Sequence, residues 1–218
     1  MWRTVLASSS PARLATLRAA GVVPEVVVSG VDESSDAPNT AARTCQVAQR
    51  KGEAVLPQLD GPLATVVIAA DTMLDIDGVS YGKPHDQAVA RDRLQAMSGS
   101  AGVLHTGHYV AVRSASPDAA APGAQWRHLV RDAATFVRFA QMTNDEIEAY
   151  LATGEPLEVA GSFTIDGFGG PFVASIEGDP HNVVGLSLPL MRLMLAELGV
   201  GWVSLWASDL GHGSKSDG

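Results

Sequence analysis

Cysteine is almost absent from this chain: Cys45 is the only one in 218 residues. A lone thiol excludes an intrachain disulfide and a thiolate metal cage, and it reads as a small buried apolar side chain. Long apolar runs are missing as well. No stretch approaches the roughly 20 residues of a membrane-spanning helix, and Met1-Trp2-Arg3-Thr4 lacks a signal-peptide pattern. The expectation is a cytoplasmic protein with no place in a membrane. Cations are in deficit, with 15 Lys+Arg against 24 Asp+Glu and a formal net charge of -9. That balance removes the electrostatic term on which nucleic-acid and anionic-membrane binding depend. It leaves room for a small polyanion held by a local cluster of Lys and Arg.

Familiar motifs are missing too. The six histidines (His85, His105, His108, His128, His181 and His212) form no H-E-x-x-H pair, which disfavours a zinc hydrolase. There is no G-x-x-x-x-G-K-[ST] loop, G-x-G-x-x-G fingerprint, G-x-S-x-G elbow or internal repeat. What is present, 46% hydrophobic and 18% charged residues, is the composition of a folded globular chain. The length fits one domain, assigned to residues 1–206, followed by a small, polar tail at 207–218 that is expected to fray.

Val66-Val67-Ile68-Ala69-Ala70 is an apolar run that ends in Asp71. It predicts a strand buried on both faces, with Asp71 at the carboxyl end where α/β proteins place ligands; a plain turn Asp is the alternative. Val5-Leu6-Ala7 predicts a strand, and Ser8-Ser9-Ser10-Pro11 hands the chain to a helix running to about Ala20, with Ser10 as N-cap. Hydroxyls and free amides at that turn, with Arg13 nearby, suit an anion, although serines cap helices of every kind. Glu25–Val28 predicts a second strand, Glu33 sits in the polar loop after it, and a helix is expected from Thr40 to Leu56 with Lys51 on it, by default a surface charge. Asp77-Gly78 signals a two-residue hairpin that carries Gly82-Lys83-Pro84 back towards Asp71.

Asp86 is placed as the cap of a helix buried through Ala90, Leu94 and Met97. Two long strands are expected at 104–113 and 126–139, joined by a mobile surface loop at 114–124. Thr143 and Glu146 have the spacing of a capping box. Residues 160–185 are dense in glycine, which permits close approach to a ligand or simply tight hairpin turns. A last helix is expected from near Pro189 to Gly199, with Met191 and Met194 as core filler.

The blocks Leu6-Ala7-Ser8-Ser9-Ser10-Pro11-Ala12-Arg13, Val31-Asp32-Glu33, Ala70-Asp71-Thr72, Gly82-Lys83-Pro84, and Ala160-Gly161-Ser162-Phe163 through Asn182-Val183-Val184-Gly185-Leu186 together resemble the Maf family of nucleoside triphosphate pyrophosphatases. The resemblance implies a mixed α/β fold: a twisted sheet with flanking helices and two lobes around a central cleft, often dimeric. It implies hydrolysis of a nucleoside triphosphate to monophosphate and pyrophosphate with a divalent cation, Mg²⁺ or Mn²⁺. It also implies a preference for pyrimidine or modified nucleotides and a link to septum formation. Ser8, Arg13, Glu33, Lys51, Asp71 and Lys83 match the family's catalytic and phosphate-binding positions, and Thr72 matches one associated with substrate choice. Ala12 stands where many relatives carry a second arginine, and Asp166 where pyrimidine-specific relatives carry glutamine.

The side chains suit that reaction. Expelling pyrophosphate requires charge neutralisation and an oriented water, for which Arg13, Lys51 and Lys83 offer the charge. Glu33 and Asp71 are hard oxygen ligands for Mg²⁺ or Mn²⁺, and either carboxylate can serve as general base; the base is assigned to Asp71. Ser8, Ser10, Arg13, Thr72 and Asp166 are the expected substrate contacts. A nucleotide-sensing protein with little turnover is the alternative.

Overall fold

The central strand β3 runs through twelve residues, Thr65–Ile76, and carries its burial unbroken to Asp71. The computed structural model that defines it describes residues 2–115 and 125–207. Most of the expected loop at 114–124, and nearly all of the expected tail, lie outside the described residues. β1 (Arg3–Leu6), β2 (Glu25–Val26), β4 (Val79–Tyr81), β5 (Ala101–Arg113), β6 (Arg127–Phe139) and β7 (Val173–Glu177) complete a seven-stranded sheet. Its order is β2-β1-β3-β5-β6-β7, with β4 beside β3. β1 is parallel to both β2 and β3, and the other pairings are antiparallel.

Two expectations about the strands need correction. β3 does not stop at Asp71; it continues five residues further, because β5 pairs with it from Thr65 to Asp75 and β4 closes a hairpin on its far end. β2 covers only Glu25–Val26 instead of four residues, since it lies at the sheet edge with both residues exposed. The Asp-Gly hairpin is present: Asp77 (φ 52°) and Gly78 (φ 81°) both take positive φ, the two-residue turn whose twist matches the flanking strands.

The registers leave a gap. β5 occupies one edge of β3, so β1 and β4 share the other. The chain leaving β1 last engages that edge where Ala7 N donates to Ile68 O, and β4 reaches back along it only as far as Tyr81 opposite Leu74. Between them, Ala70–Met73 has no strand alongside on this edge among the described residues. The gap marks the place where the parallel part of the sheet ends, the position at which α/β sheets bind ligands.

The helices start where the sequence caps them. α1 (Pro11–Ala19) is capped by Ser10, α3 (Gln87–Met97) by Asp86 through the amides of Ala88 and Val89, and α4 (Asn144–Ala152) by the Thr143–Glu146 box. α6 (Leu188–Glu197) begins at Ser187 with Pro189 in its first turn. The glycine-dense stretch forms no hairpin; it is a chain of short 3-10 turns leading into β7 and the single-turn helix α5 (Pro180–Val184). No helix among the described residues is long and apolar enough to cross a membrane.

Alternation along β3 splits the core. Val66, Ile68 and Ala70 pack with Leu17, Met191, Met194 and Leu195 of α1 and α6, while Val67 and Ala69 pack with Ala48, Val55 and Tyr109 under α2 (Thr40–Val55). Separate clusters around Leu74 and Phe163, and around Leu94 and Tyr150, fill the other end. The two ends of the sheet are thus two lobes that meet at the gap. α2 lies unusually close to β5: a Cβ on Gly52 would fall 2.0 Å from the Tyr109 ring, and one on Gly107 would fall 2.2 Å from the Thr44 backbone.

Candidate active site

Asp71 faces α2, and Lys51 reaches it from that helix. The Lys51 ammonium lies 2.7 Å from Asp71 Oδ1 and 2.8 Å from Glu33 Oε1. Lys51 is buried, contrary to the default of a surface charge; the close seat of α2 on β5 carries its stem into the sheet and leaves the amine at the gap. Burying an ammonium requires paired carboxylates, and the two acids supply them. Their side chains differ in setting, with Asp71 12% exposed and Glu33 62%. Glu33 therefore reaches in from solvent on a loop, whose Ser34 is tied down by the Asp32 carboxylate and whose carbonyl accepts from Arg50 of α2.

On the opposite face of β3, Arg13 is held on all three nitrogens. Nε donates to Gly185 O at 2.8 Å, Nη1 to Ser8 Oγ at 3.1 Å and Nη2 to Thr72 Oγ1 at 3.0 Å. Burial depresses the Arg13 pKa, and the negative charges of Asp71 and Glu33 oppose it; an arginine stays cationic at neutral pH regardless. No carboxylate among the described residues is hydrogen-bonded to this guanidinium, so its charge is available to a ligand. Ser8 Oγ accepts from both Arg13 and the Ser10 amide, which leaves its own proton to donate. Ser10 Oγ is engaged as the helix cap, and its contribution to an anion is its place at the α1 N-terminus.

Three groups that were not among the expected site residues complete the network. Thr106 Oγ1 lies 3.1 Å from Thr72 Oγ1 and donates to Asn182 O at 3.2 Å. Asn182 is fully buried, and its amide donates to Leu104 O, Ala133 O and Thr135 Oγ1, fixing α5 so that Gly185 (φ 111°) presents its carbonyl to Arg13. Asn182 and Gly185 fall in a block the family resemblance had marked, but Thr106 is one more residue of a buried strand with no local signal. Beside them His108 Nε2 accepts from Ser187 N at 2.8 Å. Burial first, then the Arg13 charge, pushes the His108 pKa down to about 4, so the ring is neutral.

Lys83 and Asp166 are not drawn into this contact set. Both are exposed, and neither has a hydrogen bond or ion pair among the described residues. The turn that carries Lys83 is nonetheless fixed at the mouth of the gap: Gly82 O accepts from Gly161 N at 3.3 Å and from Arg93 Nη1 at 2.6 Å. The site therefore pairs two buried cations, Arg13 and Lys51, with the carboxylates of Asp71 and Glu33. This arrangement can neutralise a polyphosphate and place a water against a carboxylate.

Comparison with known proteins gives consistent matches. Residues 3–198 match the family described as Maf-like protein. A nucleoside triphosphate pyrophosphatase of Salinispora tropica is 50% identical over 94% of this chain and 88% of its own length. Proteins of the same name from Streptomyces coelicolor (50% identical, covering 94% of this chain and 95% of the relative) and Leifsonia xyli (45%, 94% and 96%) align equally fully. Among solved structures the Staphylococcus aureus Ham1 protein is a distant likeness, 13% identical over 63% of this chain and 72% of its own, with a TM-score of 0.38.

Proposed function

The chain belongs to the Maf-like protein family, and on that premise we propose that it is a nucleoside triphosphate pyrophosphatase, acting with a divalent cation on pyrimidine or modified nucleotides. The observation that carries this reading is the Lys51 ammonium shared between Asp71 and Glu33 at the gap in the sheet edge, with the Arg13 guanidinium on the other face of the same strand.

In this mechanism water attacks the α-phosphorus, the bond between that phosphorus and the bridging oxygen to the β-phosphate breaks, and pyrophosphate leaves. Asp71 takes the proton of the attacking water. Its Oδ1 is engaged by Lys51, which orients the carboxylate and leaves Oδ2 for the water; a base must lie within hydrogen-bond reach of its proton. Arg13 and Lys51 neutralise charge developing on the phosphoryl oxygens, where preorganised donors are worth most. Ser8 donates its remaining proton to a phosphate oxygen, and Lys83 receives the leaving group.

The residues present fit a divalent cation. Glu33 and Asp71 converge on the Lys51 ammonium through one oxygen each, so Glu33 Oε2 and Asp71 Oδ2 are the hard oxygens that would meet a cation and its water beside it, and Mg²⁺ is commonly held by one or two carboxylates with substrate phosphates and water filling the rest. When bound, the cation supplies further neutralisation of the triphosphate. Glu33 and Asp71 are its assigned ligands on the chemistry of their oxygens; among the described residues no group of three or more His, Cys, Asp or Glu converges to hold a metal.

For the base, Asp166 is the assigned reader. An ionised carboxylate only accepts hydrogen bonds, so it favours the cytosine amino group over the carbonyl of uracil or thymine. Thr72, fixed between Arg13 and Thr106, is assigned a share in substrate choice beside it. The deciding experiment is a panel of canonical and modified triphosphates with Mg²⁺, Mn²⁺ or chelator, with products separated by chromatography. Monophosphate plus pyrophosphate, abolished by chelator and by Asp71→Asn, is expected. Orthophosphate release, or tight binding without release, would replace this reading with a phosphatase or a nucleotide sensor.

A further inference from the structure

Glu155 follows Gly154, two residues beyond the end of α4, and its carboxylate collects four hydrogen bonds. Oε1 accepts from Tyr150 Oη at 2.8 Å, Thr164 Oγ1 at 2.6 Å and Gly169 N at 3.0 Å, while Oε2 accepts from Phe168 N at 3.0 Å. Burial alone would raise its pKa, but these donors outweigh it and hold the group below the ordinary carboxylate range. The chain from Thr164 to Gly169 is wrapped onto this one side chain. A Cβ on Gly167 would lie 2.2 Å from Glu155 Oε2, and one on Gly169 would lie 2.4 Å from Tyr150 Oη. The wrap is possible only because both positions lack side chains.

The other end of the segment is fixed independently. Gly161 N donates to Gly82 O, next to Lys83, and Ile165 packs on the cluster of Leu74 and Phe163. Asp166 stands between these two anchors, exposed and without a partner among the described residues. A lone acceptor on a mobile turn discriminates poorly between bases, because a contact displaced by about 1 Å loses most of its value. The Glu155 carboxylate removes that freedom.

We infer that Glu155 is the positioning residue of base recognition: through Thr164, Phe168 and Gly169 it sets the turn that presents Asp166 to the nucleobase. The inference rests on the assignment of Asp166 to the base. Glu155 itself does not touch the substrate. Its chemistry requires a carboxylate, since four donors converge on two oxygens. Glutamine keeps the shape but turns one of those oxygens into a donor facing a donor, most simply at the Phe168 amide.

The test measures kcat and KM for CTP, UTP and dTTP, with melting temperatures, for the full-length wild type and for Asp166→Gln, Glu155→Gln, Glu155→Ala and Tyr150→Phe. Asp166→Gln is expected to move the CTP-to-UTP ratio of kcat/KM. Glu155→Gln and Tyr150→Phe, each losing about one hydrogen bond, should reduce that ratio by about three- to tenfold, through KM more than kcat, and Glu155→Ala should reduce it further. If Asp166→Gln moves the ratio while Glu155→Gln and Tyr150→Phe leave it at the wild-type value, Glu155 only stabilises the fold and the inference fails. A uniform fall for all three nucleotides tracking a lower melting temperature overturns it equally. If Asp166→Gln leaves the ratio unmoved, the base assignment fails, and the inference with it.

Discussion

The Lys51 ammonium stands 2.7 Å from Asp71 Oδ1 across a helix–strand contact in which both partners are almost wholly buried. Such a pair is costly to break on one side only, because the remaining charge is stranded. Lys51→Met is therefore expected to lower stability by about 3–5 kcal/mol and to reduce kcat by a factor of 100 or more, about the value of one preorganised charge on a phosphoryl transition state. Urea unfolding and steady-state kinetics check the two effects separately.

Arg13 offers a second test of geometry against charge. Arg13→Lys keeps the cation but cannot reproduce three directed bonds to Gly185, Ser8 and Thr72. A fall in kcat/KM of roughly 10- to 100-fold is expected, since arginine and lysine are not equivalent at a multiply bonded site. Kinetics indistinguishable from wild type would mean that only the charge is used.

His108 makes stability depend on acid. Its pKa is about 4 in the native state against 6.5 when unfolded, so between those values the unfolded chain binds a proton the native chain refuses. Stability must then fall as pH drops from 6.5 to 4, by up to about 3 kcal/mol. His105 does not offset this: its pKa is raised by the hydrogen bond to Asp132, so its contribution is already complete below 6.5 and is lost only as pH rises through the higher native value. Denaturation at pH 7 and pH 4.5 should show the loss in wild type and a shallower one in His108→Gln, which keeps an acceptor for the Ser187 amide.

The seat of α2 can be probed away from the charges. Gly52→Ala puts a methyl group into the Tyr109 ring, and overpacking of this kind costs about 1–3 kcal/mol. A melting temperature lower by roughly 3–10 °C is expected for a chain of this length. Scanning calorimetry reads it directly, and an unchanged transition would show that the ring can step aside.

Much of the scaffold was legible because the signals are local. Ser10, Asp86 and the Thr143–Glu146 box cap the helices they precede, and Asp77-Gly78 turns the hairpin. The site was legible mainly as a set of residues, and its geometry was not. Lys51 sits in the polar run Gln49-Arg50-Lys51, which looks solvated until Gly52 and Gly107 let the helix sink. A carboxylate in mid-strand reads as a strand end, because nothing nearby reveals that an amine 20 residues earlier neutralises it. Arg13 and Gly185 are 172 residues apart, and no periodicity connects them. Lys83 and Asp166 were expected among the contacts, but both are exposed and outside the hydrogen-bonded set among the described residues.

Asp71 and Thr72 are neighbours in sequence, yet the pleat of β3 sends them to opposite sides of the sheet, one to Lys51 and the other to Arg13. Strand register therefore works as a single address for both. A one-residue insertion between Val66 and Ala70 would exchange the two faces, turning the carboxylate towards the arginine and the hydroxyl towards the lysine. Every charge would survive such an insertion, and the proposed base would point away from the amine that orients it.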